Sequence, residues 1–231
     1  MIEELLPESV VTVEAHGDDQ DWDAQLYPGE QQLVARSVEK RRREFAAVRA
    51  CARRAMEKLG VPAQAVLRGE RGAPVWPDGL IGSMTHCEGY CAASLVRATD
   101  LASLGIDAEP HEELPDDVIA SVALSTENDR LRELARRDAS VHWDRLLFSA
   151  KESVYKAWYP LTGKWLDFFE ADIELFADDG PARSGGLRAE LLVPGPLVDG
   201  RRIQSFEGRW TVRRGLLATA VTVPHTGADA A

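Results

Sequence analysis

The 231 residues are 45% hydrophobic and 28% charged, the balance of an ordinary soluble globular chain long enough to bury its own core. No run approaches the ~18 apolar residues of a membrane helix, and the acidic start MIEELLPESV is unlike a signal peptide. A net charge of −11 argues against non-specific nucleic-acid binding, so neither nucleic acid nor membrane insertion is expected. The charge is unevenly spread. Between Arg36 and Lys58 stand nine Lys/Arg against three Glu, a local balance of +6 that leaves about −17 for the rest. A basic patch in an acidic protein suits a defined anionic ligand better than a long polyanion. Cys51, Cys87 and Cys91 form an odd set without a disulfide pattern, which points to a reducing cytoplasm.

In chain order, residues 9–14 read as a short strand, an acidic turn follows around residues 17–23, and a helix starts near Tyr27-Pro28-Gly29-Glu30. Residues 39–59 are helical, with Phe45, Val48, Ala52, Met56 and Leu59 as the apolar stripe and Gly60 and Pro62 as the stop. Arg43, Arg54 and Lys58 point away from that stripe. Arg41 falls within its range and Arg49 and Arg53 lie at its edge, either snorkelling or paired with something anionic. The Gly- and Pro-rich text 67–78 reads as a loop carrying Arg68 and Arg71, which are solvated or ligand-facing. Residues 81–86 lead into a strand at 90–96, and 101–106 form a second apolar strand, expected to lie antiparallel to the first. Asp107 and Glu109 continue it, and their i, i+2 spacing places both carboxylates on one side. Two such acids are a solvated strand end or, with a third carboxylate, a site for Mg²⁺.

Helical text resumes at 117–123 and 126–137, with Ser125-Thr126-Glu127-Asn128 resembling a cap. The helix 143–159, ended by Pro160 and Gly163, places Arg145, Ser149, Glu152 and Lys156 on one face. Leu147, Ala150, Val154 and Trp158 fall on the other. By itself the polar row needs no more than a Glu-to-Lys pair in solvent. Short β-type runs follow at 172–176, 188–193, 209–213 and 216–223, separated by Gly/Pro-rich text at 180–186 and 194–200, with a disordered tail expected at 226–231. The text Gly89-Tyr90-Cys91-Ala92-Ala93 echoes in Gly215-Leu216-Leu217-Ala218-Thr219. The echo predicts an α+β fold of two similar α/β halves in a pseudo-twofold relation, 1–110 and 111–231, forming one compact unit with any active site between them. A zinc cluster of His86, Cys87 and Cys91 is set aside because residues 86 and 91 of a single strand would face opposite sides. A Ser83-His86-Asp107 triad lacks a nucleophile elbow.

The segments LGIDAE (104–109) and FSAKESVYK (148–156) resemble the paired signatures of the Sfp/EntD-like phosphopantetheinyl transferases. Upstream, KRRREFAAVRACAR (40–53), GERGAPVWPDG (69–79) and GSMTHCEGY (82–90) resemble the same family in the same order. The resemblance implies transfer of the phosphopantetheine arm of coenzyme A to a serine of an acyl or peptidyl carrier protein, with release of adenosine 3′,5′-bisphosphate. By matching position it implies that Asp107, Glu109 and Glu152 hold Mg²⁺ (or Mn²⁺). Glu152 would take the serine proton, and Lys156 and Lys151 would bind phosphate oxygens, Lys156 offsetting charge on the leaving group. Arg41, Arg49, Thr85 and His86 would contact the adenosine phosphates, with Arg68 and Arg71 as looser matches. Threonine stands at 85 where the family carries serine, retaining the hydroxyl. A monomer is expected, since two halves in one chain suffice. A metal-dependent phosphohydrolase using the same carboxylates and a non-catalytic coenzyme A or carrier-binding module are the rival readings.

Overall fold

The computed structural model describes residues 1–17, 19–179 and 183–227. The chain runs β1 (Val11–His16), α1 (Pro28–Leu33), α2 (Glu39–Lys58), β2 (Leu67–Arg68), β3 (Pro74–Val75), β4 (Leu80–Cys87), β5 (Tyr90–Arg97) and β6 (Ser103–Pro110). It continues through α3 (Asp116–Val122), α4 (Ser125–Arg137), α5 (Trp143–Thr162), β7 (Ala171–Ala177), β8 (Ser184–Leu191), β9 (Leu197–Val198), β10 (Arg201–Arg202), β11 (Ser205–Arg213) and β12 (Leu216–Val223). It is a mixed α/β molecule with five α-helices and several antiparallel sheets among the described residues. No helix there is long and apolar enough to cross a membrane.

Two sheets carry the fold, a three-stranded one ordered β1-β5-β4 and a five-stranded one ordered β6-β12-β11-β8-β7. Every residue of β5 from Tyr90 to Val96 is buried, so the strand is covered on both faces rather than alternating, its one serine, Ser94, bonding Thr12 at 2.8 Å. One of its faces lies against α2, whose alanines 47, 52 and 55 allow close packing beside Val48, Cys51 and Met56. The opposite face joins Ile2, Leu5, Leu104, Ile106, Ala218 and Ala220 in a core shared by both sheets. The third core packs α5 on the five-stranded sheet, with Leu147, Ala150, Val154 and Trp158 buried as their periodicity requires.

The strand at 103–110 differs from expectation. Rather than pairing with β5, β6 pairs antiparallel with β12, Asp107 standing opposite Thr219. It meets β4 through side chains. Ser83 Oγ accepts from Ile106 N at 3.0 Å, and Thr85 Oγ1 accepts from Ala108 N at 3.0 Å. The constant register makes β4 and β6 parallel, and the hydroxyls satisfy edge amides that would otherwise be buried without partners. Tertiary pairing over more than a hundred residues decided this strand, which local text cannot report.

Smaller departures have local causes. Pro160 lies inside α5, and the helix ends a turn later at Gly163, whose φ of 63° is the left-handed cap. The cap of α4 is Leu124, its amide donating to Glu127 Oε2 at 2.8 Å. Strand β8 begins inside the text expected as a loop, because Gly186 leaves room for the Phe176 ring: a Cβ there would lie 2.1 Å from Phe176 Cε2. Thr226, placed in the expected disordered tail, donates from its amide to Asp199 at 2.9 Å. Residues 228–231 and 180–182 lie outside the described residues.

Gly105 sets the distance between α5 and β6. A Cβ there would lie 2.0 Å from Ser153 O and 2.7 Å from Ala157 N, so no side chain fits beneath the helix. Ser103 Oγ donates to Ala157 O at 2.7 Å in the same contact. Gly105→Ala is expected to cost about 1–3 kcal/mol and lower Tm by roughly 3–10 °C in a thermal melt. An unchanged Tm would mean that the helix is free to shift.

Candidate active site

A cavity of about 550 Å³ opens between α2, the β2–β3 hairpin, β4 and α5. Arg41, Phe45 and Arg49 of α2 form one wall and Glu152, Tyr155, Lys156 and Tyr159 of α5 the other. The hairpin brings Arg68 and Arg71 over the opening, tied to α5 where Tyr159 Oη donates to Glu70 O at 3.3 Å.

The arginines at the edge of the α2 stripe are now distinguished. Arg53 is a structural ion pair, its Nη1 donating to both oxygens of fully buried Glu30 at 3.1 and 2.9 Å. Arg49 is buried but faces the cavity, its Nε held by Val66 O at 3.2 Å and its guanidinium 3.2 Å above the centre of the Phe45 ring. Burial lowers it to about 9, with Glu30 opposing, so it remains a cation at neutral pH. Arg41 Nη1 meets His86 Nε2 and lies 3.5 Å from Glu44. Burial pushes His86 down to about 4, and Arg41, Lys156, Arg49 and Arg68 push the same way. The imidazole is therefore neutral among four cations. Such a pocket is built for an anion.

The carboxylates lie beside this pocket at the β6–α5 contact. Asp107, 4% exposed, accepts from Lys156 Nζ at 2.7 Å and Thr85 Oγ1 at 3.2 Å, both at Oδ1. Its Oδ2 is buried without a hydrogen-bond partner. Glu109 accepts from Arg145 Nη1 at 3.2 Å. Burial raises its carboxyl, the Asp107 charge adds to this, and Arg145 opposes. Glu152 makes no hydrogen bond or ion pair among the described residues. Burial raises it, Lys156 opposes and Asp107 adds. No group of three His, Cys, Asp or Glu among the described residues is gathered as a finished metal cage. Mg²⁺ does not require one, since it commonly takes one or two carboxylates and completes its shell with phosphate and water. Hard oxygen donors, an orphaned buried Oδ2 and an unpartnered Glu152 fit such an ion.

Two expected phosphate contacts take other roles. Thr85 is buried outside the cavity lining, its hydroxyl spent on Asp107 and Ala108 N. Lys151 faces the core, its Nζ held by Glu127 at 2.8 Å, Phe168 O at 2.7 Å and Ala171 O at 2.5 Å. Those three partners use all its donors. Ser149 is likewise no part of an exposed row; it bonds Thr219 at 2.9 Å. Burial of Cys91, rather than the parity of a single strand, speaks against zinc. Residues 86 and 91 are cross-strand partners in the β4–β5 hairpin and so share a face, but Cys91 is fully buried, its Sγ 3.9 Å from Cys51 Sγ. Tyr155, Tyr159, Trp76 and Glu30 were not singled out by sequence. The capping position of Glu30 and the one-turn spacing of the tyrosines along α5 were the available signals.

Residues 29–96 match the sequence model of the 4′-phosphopantetheinyl transferase N-terminal domain, and residues 103–194 that of the 4′-phosphopantetheinyl transferase superfamily. The chain belongs to the 4′-phosphopantetheinyl transferase family. It is 55% identical over 224 residues to the 4′-phosphopantetheinyl transferase Svp of Streptomyces mobaraensis, covering 96% of this chain and 89% of that one. Identity is 48% over 224 residues with Npt of Nocardia iowensis, covering 96% and 99% of the two chains. It is 46% over 197 residues with PptT of Mycobacterium tuberculosis, covering 85% of each.

The raised Glu152 carboxyl has a stability consequence. Its folded pKa exceeds its unfolded one, so ionisation costs stability above the folded pKa, and the cost vanishes below about 4.3, the ordinary glutamate value. Glu152→Gln is therefore expected to raise Tm at pH 7.5, with a gain that shrinks as pH falls toward that value. Calorimetry at several pH values checks this; a lower Tm at pH 7.5 would contradict it.

Proposed function

We propose that this chain moves the 4′-phosphopantetheine arm of coenzyme A onto a serine of an apo acyl or peptidyl carrier protein, in a divalent-cation-dependent reaction that releases adenosine 3′,5′-bisphosphate. One observation carries the reading: a cationic cavity, suited to a polyanionic nucleotide, ends at Glu152 and Lys156 beside Asp107 and Glu109. In the step proposed, the serine Oγ attacks the phosphorus next to pantetheine, the P–O bond to the adenosine bisphosphate breaks, and the serine proton passes to Glu152. A half-buried carboxylate with a raised pKa and no partner is suited to that task. Lys156 donates to Asp107 Oδ1 and to Ile106 O at 3.0 Å, leaving a third hydrogen for the departing phosphate. Arg41, Arg49, Arg68, Arg71 and His86 would hold the adenosine phosphates, and Thr85 acts through Asp107. Asp107, Glu109 and Glu152 would hold Mg²⁺ or Mn²⁺, which supplies a template and a Lewis acid for the pyrophosphate when bound. Positioning and charge neutralisation account for most of such a transfer.

The same reading extends to the whole chain. Two halves in a pseudo-twofold relation are supported by the similar arrangement of α2 on β5 and α5 on β6 and β12, but the boundary shifts from 110/111 to between β5 and β6, because β6 pairs with β12 in the five-stranded sheet. Since both halves line one cavity, a monomer suffices. An odd set of three cysteines, Cys51, Cys87 and Cys91, without a disulfide pattern favours a reducing cytoplasm.

Incubation with coenzyme A, Mg²⁺ and an apo carrier protein should add about 340 Da to the carrier, seen by mass spectrometry. Glu152→Ala should bind coenzyme A and leave the carrier unmodified, and Asp107→Ala should lose activity that raised Mg²⁺ restores poorly. Consumption of coenzyme A without a carrier would instead indicate a hydrolase.

A further inference from the structure

Arg145, in the first turn of α5, spends each guanidinium nitrogen on a different residue. Nη1 donates to Glu109 Oε2 at 3.2 Å, Nη2 to Glu113 O at 3.0 Å and Nε to Glu112 O at 3.3 Å. The side chain is 17% exposed, well short of a solvated surface arginine. The segment it grips follows β6 directly and is tied to the start of α5 twice more. Leu114 N donates to Asp144 Oδ2 at 2.6 Å, and His142 N donates to His111 Nε2 at 3.1 Å. A planar fork held at three points has one orientation, unlike a lysine in the same place.

Glu109 is thereby held as Asp107 is. Lys156 and Thr85 take Oδ1 of Asp107 and leave Oδ2 without a partner. Arg145 takes Oε2 of Glu109, and Oε1 makes no hydrogen bond among the described residues. On one side of β6, two carboxylates two residues apart each have one oxygen fixed by a cation and one left over. Three carboxylates facing two cations leave the cluster one negative charge from neutrality. We infer that Arg145 is a positioning residue for the transfer reaction, orienting Glu109 toward the divalent cation and locking the segment 112–114 to α5. The inference rests on the proposed reading of Asp107, Glu109 and Glu152 as the cation's ligands. Two effects oppose each other. The Arg145 charge repels a cation, whereas loss of an outer partner that orients a ligand typically costs 10–100-fold in metal affinity. The three-point hold argues that orientation wins.

Mn²⁺ binding to the enzyme–coenzyme A complex, followed by electron paramagnetic resonance, separates these effects. Arg145→Gln is expected to weaken Mn²⁺ binding about ten-fold, while coenzyme A affinity without metal stays at the parent value. Unchanged or tighter Mn²⁺ binding would overturn the inference, as would an equal loss of metal-free coenzyme A affinity, the sign of a merely structural role. If Arg145→Gln fails to fold, Arg145→Lys, which keeps the charge and loses the fork, is read instead. Weaker Mn²⁺ binding is again expected, and parent-like binding overturns the inference. Asp107→Asn serves as the reference for the underlying reading. Parent-like Mn²⁺ affinity in that variant would sink the cation site itself, whereas a loss there with none in Arg145→Gln sinks only the role of Arg145.

Discussion

The site depends on the contact between α5 and β6. Because position 105 carries no side chain, the helix backbone rests directly on the strand, and Lys156 reaches both Ile106 O and Asp107. One turn earlier along the helix Glu152 looks into the cavity, and two turns earlier still Arg145 reaches Glu109. A single helix thus delivers two cations and one carboxylate to two strand carboxylates. Any side chain at 105 would lift all three away together.

Charge is distributed on both sides of that contact. Toward α2, Arg41, Arg49 and Arg68 surround a neutral His86 with Glu44 as the near carboxylate, which leaves positive charge in excess. Toward β6, Asp107 and Glu109 repel each other and are only partly compensated by Lys156 and Arg145. Left alone, each cluster costs stability, and a ligand carrying phosphates together with a divalent cation would neutralise both. Strain of this kind is expected where binding supplies the missing charge.

Much of this was legible in the residues. The periodicity of α2 and α5, the i, i+2 acids of β6 and the order of the short motifs placed the cavity walls and the carboxylates. What remained hidden was tertiary. The pairing of β6 with β12 joins residues more than a hundred apart, and no local pattern encodes it. Lys151 and Glu152 are neighbours in sequence, yet the helix turns the first into the core against Glu127 and the second toward the cavity. Arg53 and Arg49 looked equivalent at the edge of one stripe until Glu30 claimed the first. Arg145 was visible on the polar face of α5, but its hold on Glu112 and Glu113 depends on where the segment after β6 folds back.

The central claim is that the strand carboxylates and coenzyme A share a divalent cation. Titration calorimetry of coenzyme A with and without Mg²⁺, in the parent and in Asp107→Asn, tests it most directly. Mg²⁺ is expected to tighten coenzyme A binding to the parent by about ten-fold or more and to give no such gain in Asp107→Asn, whose metal-free affinity persists. An equal Mg²⁺ gain in both proteins would contradict it.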